Sequence, residues 1–327
     1  MISRLNEKDP ARIARLYRRA DAIRSKCVGD QVYLRGVVEF SNYCAKNCLY
    51  CGLRRSNRRL KRYRLSLDQI FHAAKTAHDL GYGTVVLQSG EESGYDQAAF
   101  CGLVTRIKRH LGLVVTLSLG EKTYRELKAF RDAGADRYLL KFETSDESLY
   151  HRLKPDSCYA DRFGCLAALK RLGYQTGSGN MVGLPGQSLK SLAEDIVRFK
   201  RLKLDMIGIG PFISHKHTPL AREKNGSLEM VLKTVALTRI SAPYANIPAT
   251  TAVGTIDSLG RQRALRAGAN IVMPNVTPVK YRKYYQIYPD KICINDKALT
   301  CAGCLDRMII GLGRKVGTGP GNSIKTR

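Results

Sequence analysis

The stretch Phe40-Ser-Asn-Tyr-Cys44-Ala-Lys-Asn-Cys48-Leu-Tyr-Cys51-Gly52 follows directly on the apolar run 32–40, so a strand delivers three closely spaced thiols at its end. The spacing is C-x3-C-x2-C, with Tyr50 aromatic before the last cysteine. A structural zinc site or a closed [4Fe–4S] cluster takes four protein ligands. Three thiolates leave one iron of a [4Fe–4S] cluster open. The amino and carboxylate groups of S-adenosylmethionine (SAM) can chelate such an iron, and one electron then cleaves the sulfonium to give a 5′-deoxyadenosyl radical. A zinc knuckle completed by a distant cysteine or histidine, or three unrelated core thiols, are the other readings.

Working outward, the 327 residues contain no run approaching the ~20 apolar residues of a membrane-spanning helix. Residues 1–26 alternate Arg, Lys, Asp and Glu with Ile, Leu and Ala, which predicts a charged amphipathic helix rather than a secretory signal. The ten cysteines group like metal ligands more than like a disulfide framework, which points to a reducing compartment and a cytoplasmic location. The net charge of +27 favours an anionic partner or substrate. A basic nucleic-acid binder or tRNA-modifying enzyme is one way to use that charge. No RNA-binding module is visible, however, and tryptophan is absent, which argues against a specific nucleic-acid partner.

β-rich runs alternate with helical patterns along the chain, the mark of parallel strands joined by crossover helices. Strands are expected at 32–40, 84–90, 114–119, 137–143, 175–182, 206–212, 246–254 and 269–274. Helices are expected at 67–80, 95–111, 123–133, 160–172, 188–202, 227–241 and 260–266, several closed by glycines 81, 134, 173 and 268. Eight such units predict an α/β fold, a (β/α)8 TIM barrel, with its site at the C-terminal strand ends. A single barrel domain is expected, with an N-terminal helical extension over 1–30 and a C-terminal extension over 279–327.

The segments Phe40–Arg55, Val86-Leu-Gln-Ser-Gly-Glu91, Val115-Thr-Leu-Ser-Leu-Gly-Glu121, Ala133–Leu140, Met181-Val-Gly-Leu-Pro-Gly-Gln187, Ile207–Phe212 and Ile247-Pro-Ala-Thr-Thr-Ala252 occur together and in this order. In these the chain resembles the radical SAM superfamily and, within it, the [FeFe]-hydrogenase maturases. The resemblance implies a [4Fe–4S] cluster on Cys44, Cys48 and Cys51. It further implies Ser89 beside the methionyl amino group of SAM, Glu143 on the ribose hydroxyls, Arg162 on the SAM carboxylate, and Tyr50 and Met206 along the adenine. Thr116, Arg137, Thr250 and Thr251 are implied for a substrate site inside the barrel. The implied substrate is an anionic organometallic iron unit with carbonyl, cyanide and cysteine ligands. Other hydrogenase maturases and an electron donor such as ferredoxin or flavodoxin are the implied partners. The chain departs from the family in carrying Lys141-Phe142-Glu143-Thr144 where Arg-His-Glu-Thr is usual, and in Ser214-His-Lys-His-Thr-Pro219, where the usual segment is richer in proline.

A second group, Cys293, Cys301 and Cys304, spaced C-x7-C-x2-C, suits a [2Fe–2S] cluster or zinc and resembles an accessory site in some maturases. Cys27, Cys101, Cys158 and Cys165 follow no ligand spacing. The alternative within the same barrel is a mutase or sulfur-inserting enzyme with an organic substrate, of the methylornithine synthase or biotin synthase kind.

Overall fold

The structure, a computed structural model, describes residues 1–324. Nine strands form among the described residues: β1 (Gln31–Leu34), β2 (Gly36–Ser41), β3 (Thr84–Ser89), β4 (Val114–Ser118), β5 (Arg137–Leu139), β6 (Gln175–Val182), β7 (Met206–Pro211), β8 (Ile271–Val272) and β9 (Lys315–Gly317). The order β2-β3-β4-β5-β6-β7 makes a six-stranded sheet whose neighbours all pair in parallel. Single bridges complete the ring, from Met206 to Asn246, from Pro248 to Ile271 and from Asn275 to Val37. A second sheet, β8-β1-β9, continues that closure at the N-terminal end. This is the parallel, helix-covered barrel expected from the alternation.

The crossover helices follow the apolar periodicity closely. Leu67–Asp79 starts at a Ser66/Gln69 capping box and Tyr124–Asp132 at a Thr123/Glu126 box, so both ends of each box satisfy amides that the first helical turn leaves free. Gly134 at φ +106 and Gly268 at φ +109 turn the chain out of helices in a conformation that a Cβ opposes. The apolar residues on the sheet's outer face, among them Val85, Leu87, Val115, Leu117 and Tyr138, join the helices in one core. Their neighbours one residue on face the barrel interior.

Two expectations change. The run 32–40 is two strands that part at Arg35, because β1 pairs with β8 and β9 whereas β2 pairs with β3. The stretch 246–254 is not a strand. Asn246 and Pro248 make only bridges, proline having no amide to continue a ladder, and Thr250 opens the helix Thr251–Ile256. The C-terminal extension, whose last three residues lie outside the described ones, includes the helix Ala298–Ile310 and returns as β9 beneath the barrel. The N-terminal helix forms over Pro10–Val28, capped by Asp9.

Candidate active site

The three-cysteine loop leaves β2 and is held from all sides by backbone bonds. Ala45 N donates to Glu91 O (2.8 Å), Leu49 N to Leu153 O (2.9 Å) and Gly52 N to Ile287 O (3.1 Å). Two glycines allow this approach: a Cβ on Gly90 would lie 2.2 Å from Tyr43 O, and one on Gly52 would lie 2.0 Å from Gln286 O. Arg62 staples the loop's far side, donating to the carbonyls of Leu53 (2.9 Å) and Arg54 (2.7 Å) and to that of Asn42.

Cys44, Cys48 and Cys51 all face one cavity of about 380 Å³ at the C-terminal end of the barrel. Burial raises all three thiols, Cys51 most clearly, and each neighbouring thiolate would raise it further. A bare thiolate is therefore disfavoured there, and bound iron supplies the positive charge that three thiolates require. No group of three or more Cys, His, Asp or Glu among the described residues closes around a single ion. Thiolates that each hold a different iron of a cluster need a wider spread than ligands of one ion, so the donor set fits a [4Fe–4S] cluster.

Tyr50, Ser89, Glu143 and Arg162 line the same cavity beside the thiols, and Thr250 and Thr251 line it deeper in the barrel. Ser89 uses its hydroxyl on Gly90 O (2.7 Å). Glu143 sits at φ +68, a strained conformation for a non-glycine residue, and its Oε2 lies 2.9 Å from Lys141 Nζ. Arg162 is held between two carboxylates, Glu91 (2.8 Å) and Glu121 (2.8 Å). The loop carrying Glu143 is braced by Asp195 on the helix Leu189–Arg201. Its Oδ1 accepts from Ser145 N (2.6 Å) and Ser145 Oγ (2.7 Å), and its Oδ2 accepts from Asn180 Nδ2 (2.8 Å).

Burial nevertheless lifts the Asp195 carboxyl from 3.8 to about 6. The folded protein then holds this proton more tightly than the unfolded chain does. Its contribution is complete below the unfolded value of 3.8 and is lost as pH rises through about 6. Urea unfolding of the wild type and of Asp195→Asn across this window tests it. The wild type should lose up to about 3 kcal/mol relative to the variant between roughly pH 4 and 6, with no further divergence above.

Three expected site residues lie elsewhere. Arg137 is the first residue of β5, so its fully buried side chain meets the barrel floor: Nε donates to Gln175 Oε1 (3.2 Å), Nη1 to Thr84 Oγ1 (3.0 Å), and Nη2 to Pro320 O (2.8 Å) and Asn322 Oδ1 (2.6 Å). Met206 opens β7 at the same end, and its sulfur accepts from Arg35 Nη1 (3.1 Å), so it does not line the cavity that Tyr50 lines. Thr116 pairs with Arg137 across the sheet and has a buried hydroxyl without a partner among the described residues, below the cavity wall. In the C-terminal region Cys293 and the buried Cys301 both line the cavity, and the neighbouring Cys301 lowers the Cys293 thiol. Cys304, one turn further along the helix, is exposed.

Other cavity residues carry no spacing signal. Lys141, Lys154 and Arg261 come from three separate loops and helices. Glu91 and Glu121 do stand in segments that resemble the family, and their pairing with Arg162 was readable only from the fold.

Residues 38–199 match the sequence profile of the Radical SAM superfamily. Over 302 residues, covering 92% of this chain and 86% of the relative, the sequence is 52% identical to the [FeFe] hydrogenase maturase subunit HydE of Thermotoga maritima. It is 31% identical over 262 residues to 3-methylornithine synthase of Methanosarcina acetivorans, covering 80% of this chain and 74% of that one. The crystal structure of methylornithine synthase superposes with a TM-score of 0.84 at 26% identity, covering 96% of this chain and 92% of that one. No helix among the described residues is long and apolar enough to cross a membrane. With the thiol loop, the cavity above the strand ends and these likenesses in hand, the chain belongs to the radical SAM superfamily, in the family of the [FeFe]-hydrogenase maturase HydE.

Proposed function

We propose that this enzyme helps to build the diiron subcluster of [FeFe]-hydrogenase by acting on an anionic iron unit with carbonyl, cyanide and cysteine ligands. The observation that carries this reading is the cation on the cavity wall near Thr250 and Thr251. Arg261 is largely buried, its Nη2 donates to Thr251 Oγ1 (3.4 Å), and its buried Nε has no hydrogen-bond partner among the described residues. A guanidinium so placed favours an anion. Cys44, Cys48 and Cys51 would hold a [4Fe–4S] cluster, which would supply the electron for reductive cleavage of SAM. Glu143 holds the ribose hydroxyls, Ser89 lies beside the methionyl amino group, and Tyr50 flanks the adenine.

Other maturases, and an electron donor such as ferredoxin or flavodoxin, are the proposed partners. The exposed Arg55, Arg58 and Arg59 beside the cysteine loop would meet an acidic donor favourably. The test is hydrogen production by apo-hydrogenase matured in a defined mixture with and without this protein. A second arm supplies SAM and free amino acids and looks for a rearranged product. Hydrogenase activation without rearrangement supports the reading. A rearranged amino acid without activation favours the methylornithine synthase type of chemistry, to which the 31% identity gives some weight.

We assign Cys293, Cys301 and Cys304 to an accessory [2Fe–2S] site. Replacing all three with alanine should lower iron content while leaving 5′-deoxyadenosine formation largely intact, as measured by iron analysis and single-turnover product assay. A folded triple variant that keeps its first cluster but cannot cleave SAM would contradict this division.

A further inference from the structure

Lys154 is a buried cation on the cluster side of the cavity with no carboxylate paired to it among the described residues. It follows the helix Glu147–Leu153, is 3% exposed, and lines the cavity with Cys48, Glu91, Glu143 and Arg162. Its ammonium sits 4.6 Å from the centre of the Tyr150 ring. Every carboxylate around it is already engaged. Glu91 is on Arg162 (2.8 Å), Glu121 is on Arg162 (2.8 Å) and Lys46 (3.2 Å), and Glu143 is on Lys141 (2.9 Å). Among the described residues no carboxylate comes within 4.0 Å of Lys154. Lys46, Lys141, Lys154 and Arg162 therefore face three carboxylates on this wall, and Lys154 is the one left without a carboxylate partner.

Burying an ammonium without an anion is costly, and burial does pull the Lys154 pKa down. Such an arrangement suits a site completed by an anionic ligand. Arg162 is the residue expected to take the SAM carboxylate, yet its fork is already divided between Glu91 and Glu121, which leaves it a neutralised scaffold. We propose that Lys154, rather than Arg162 alone, receives the methionyl carboxylate of SAM and sets the preference for a cofactor bearing that carboxylate. The inference rests on reading the cavity as a SAM site. It names a further binding residue for that cofactor.

The test uses the anaerobically reconstituted protein and equilibrium dialysis with two ligands: SAM, and 5′-methylthioadenosine, which has the nucleoside and thioether but no carboxylate. Lys154→Met should weaken SAM binding by about 10- to 100-fold, the range of one charge-assisted hydrogen bond, and change methylthioadenosine binding by less than about threefold. Lys154→Arg should recover most of the SAM affinity. Iron content and the visible absorption of the cluster should match wild type in both variants. Equal SAM binding by wild type and Lys154→Met overturns the proposal. So does a parallel loss of both ligands, which makes the lysine a packing element, or a loss of iron, which makes it a support for the Cys48 loop. Failure of the wild type itself to bind SAM would instead overturn the reading of the cavity, so the two failures are separable.

Discussion

Replacing Cys48 with alanine abolishes reductive SAM cleavage and strips most of the iron from the first site. Cys48 lines the cavity between Cys44 and Cys51, on a loop tied at Leu49 to Leu153 and at Ala45 to Glu91. With only three thiolates available, removing one leaves two cluster irons without a protein ligand. The loop cannot bring up a substitute. The other thiols on the cavity, Cys293 and Cys301, belong to the C-terminal region, outside the loop that carries Cys44, Cys48 and Cys51. Anaerobic reconstitution of Cys48→Ala should therefore give low iron, and 5′-deoxyadenosine should fall to background under dithionite. Circular dichroism should remain that of the wild type, because Cys48 is only partly buried and contributes little to the core. Retained cleavage at more than a few per cent of wild type would mean that the cluster is held in another way.

The cysteine loop was readable because its chemistry is local: three ligands within eight residues, delivered by one strand. The crossover helices were readable for a similar reason, since a 3.6-residue periodicity and a closing glycine are both properties of short windows. The end of β5 and the stretch after β7 were not. Residues 140–143 leave the strand to put Glu143 at φ +68, a turn that no local propensity signals, and Pro248, without an amide, lets the chain make only a bridge within an apolar run that otherwise reads as a strand. The same limit applies to the site. A strand's alternation says that Arg137 faces inward, but the chemistry of a barrel lies at the C-terminal ends, and Arg137 and Met206 each stand at the start of a strand. Lys154, Lys141 and Arg261 converge from distant segments, and no spacing along the chain encodes that meeting.

Arg137→Met should act on the barrel floor and not on the substrate. In the folded protein the guanidinium donates four hydrogen bonds, two of them to Pro320 and Asn322 of the C-terminal tail. The tail is seated tightly there: Thr84 Oγ1 also donates to Pro320 O (2.9 Å), Arg35 Nη2 donates to Gly321 O (2.9 Å), and a Cβ on Gly83 would lie 2.2 Å from the Gly319 carbonyl carbon. Desolvation lowers the Arg137 pKa to about 10, and the four bonds offset part of that cost. Methionine fills much of the volume but removes one of two donors from the carbonyl of Pro320, which keeps Thr84 Oγ1, and from the side-chain oxygen of Asn322, which keeps Gln175 Nε2. The expected loss is about 2–4 kcal/mol of unfolding free energy by urea titration, with faster amide exchange over residues 315–324. SAM affinity should stay within about threefold of wild type, because the residues proposed to hold it line the cavity at the opposite end of the strands. A normal unfolding curve combined with lost hydrogenase activation would return Arg137 to the substrate site. A destabilised protein that still cleaves SAM would place it in the floor.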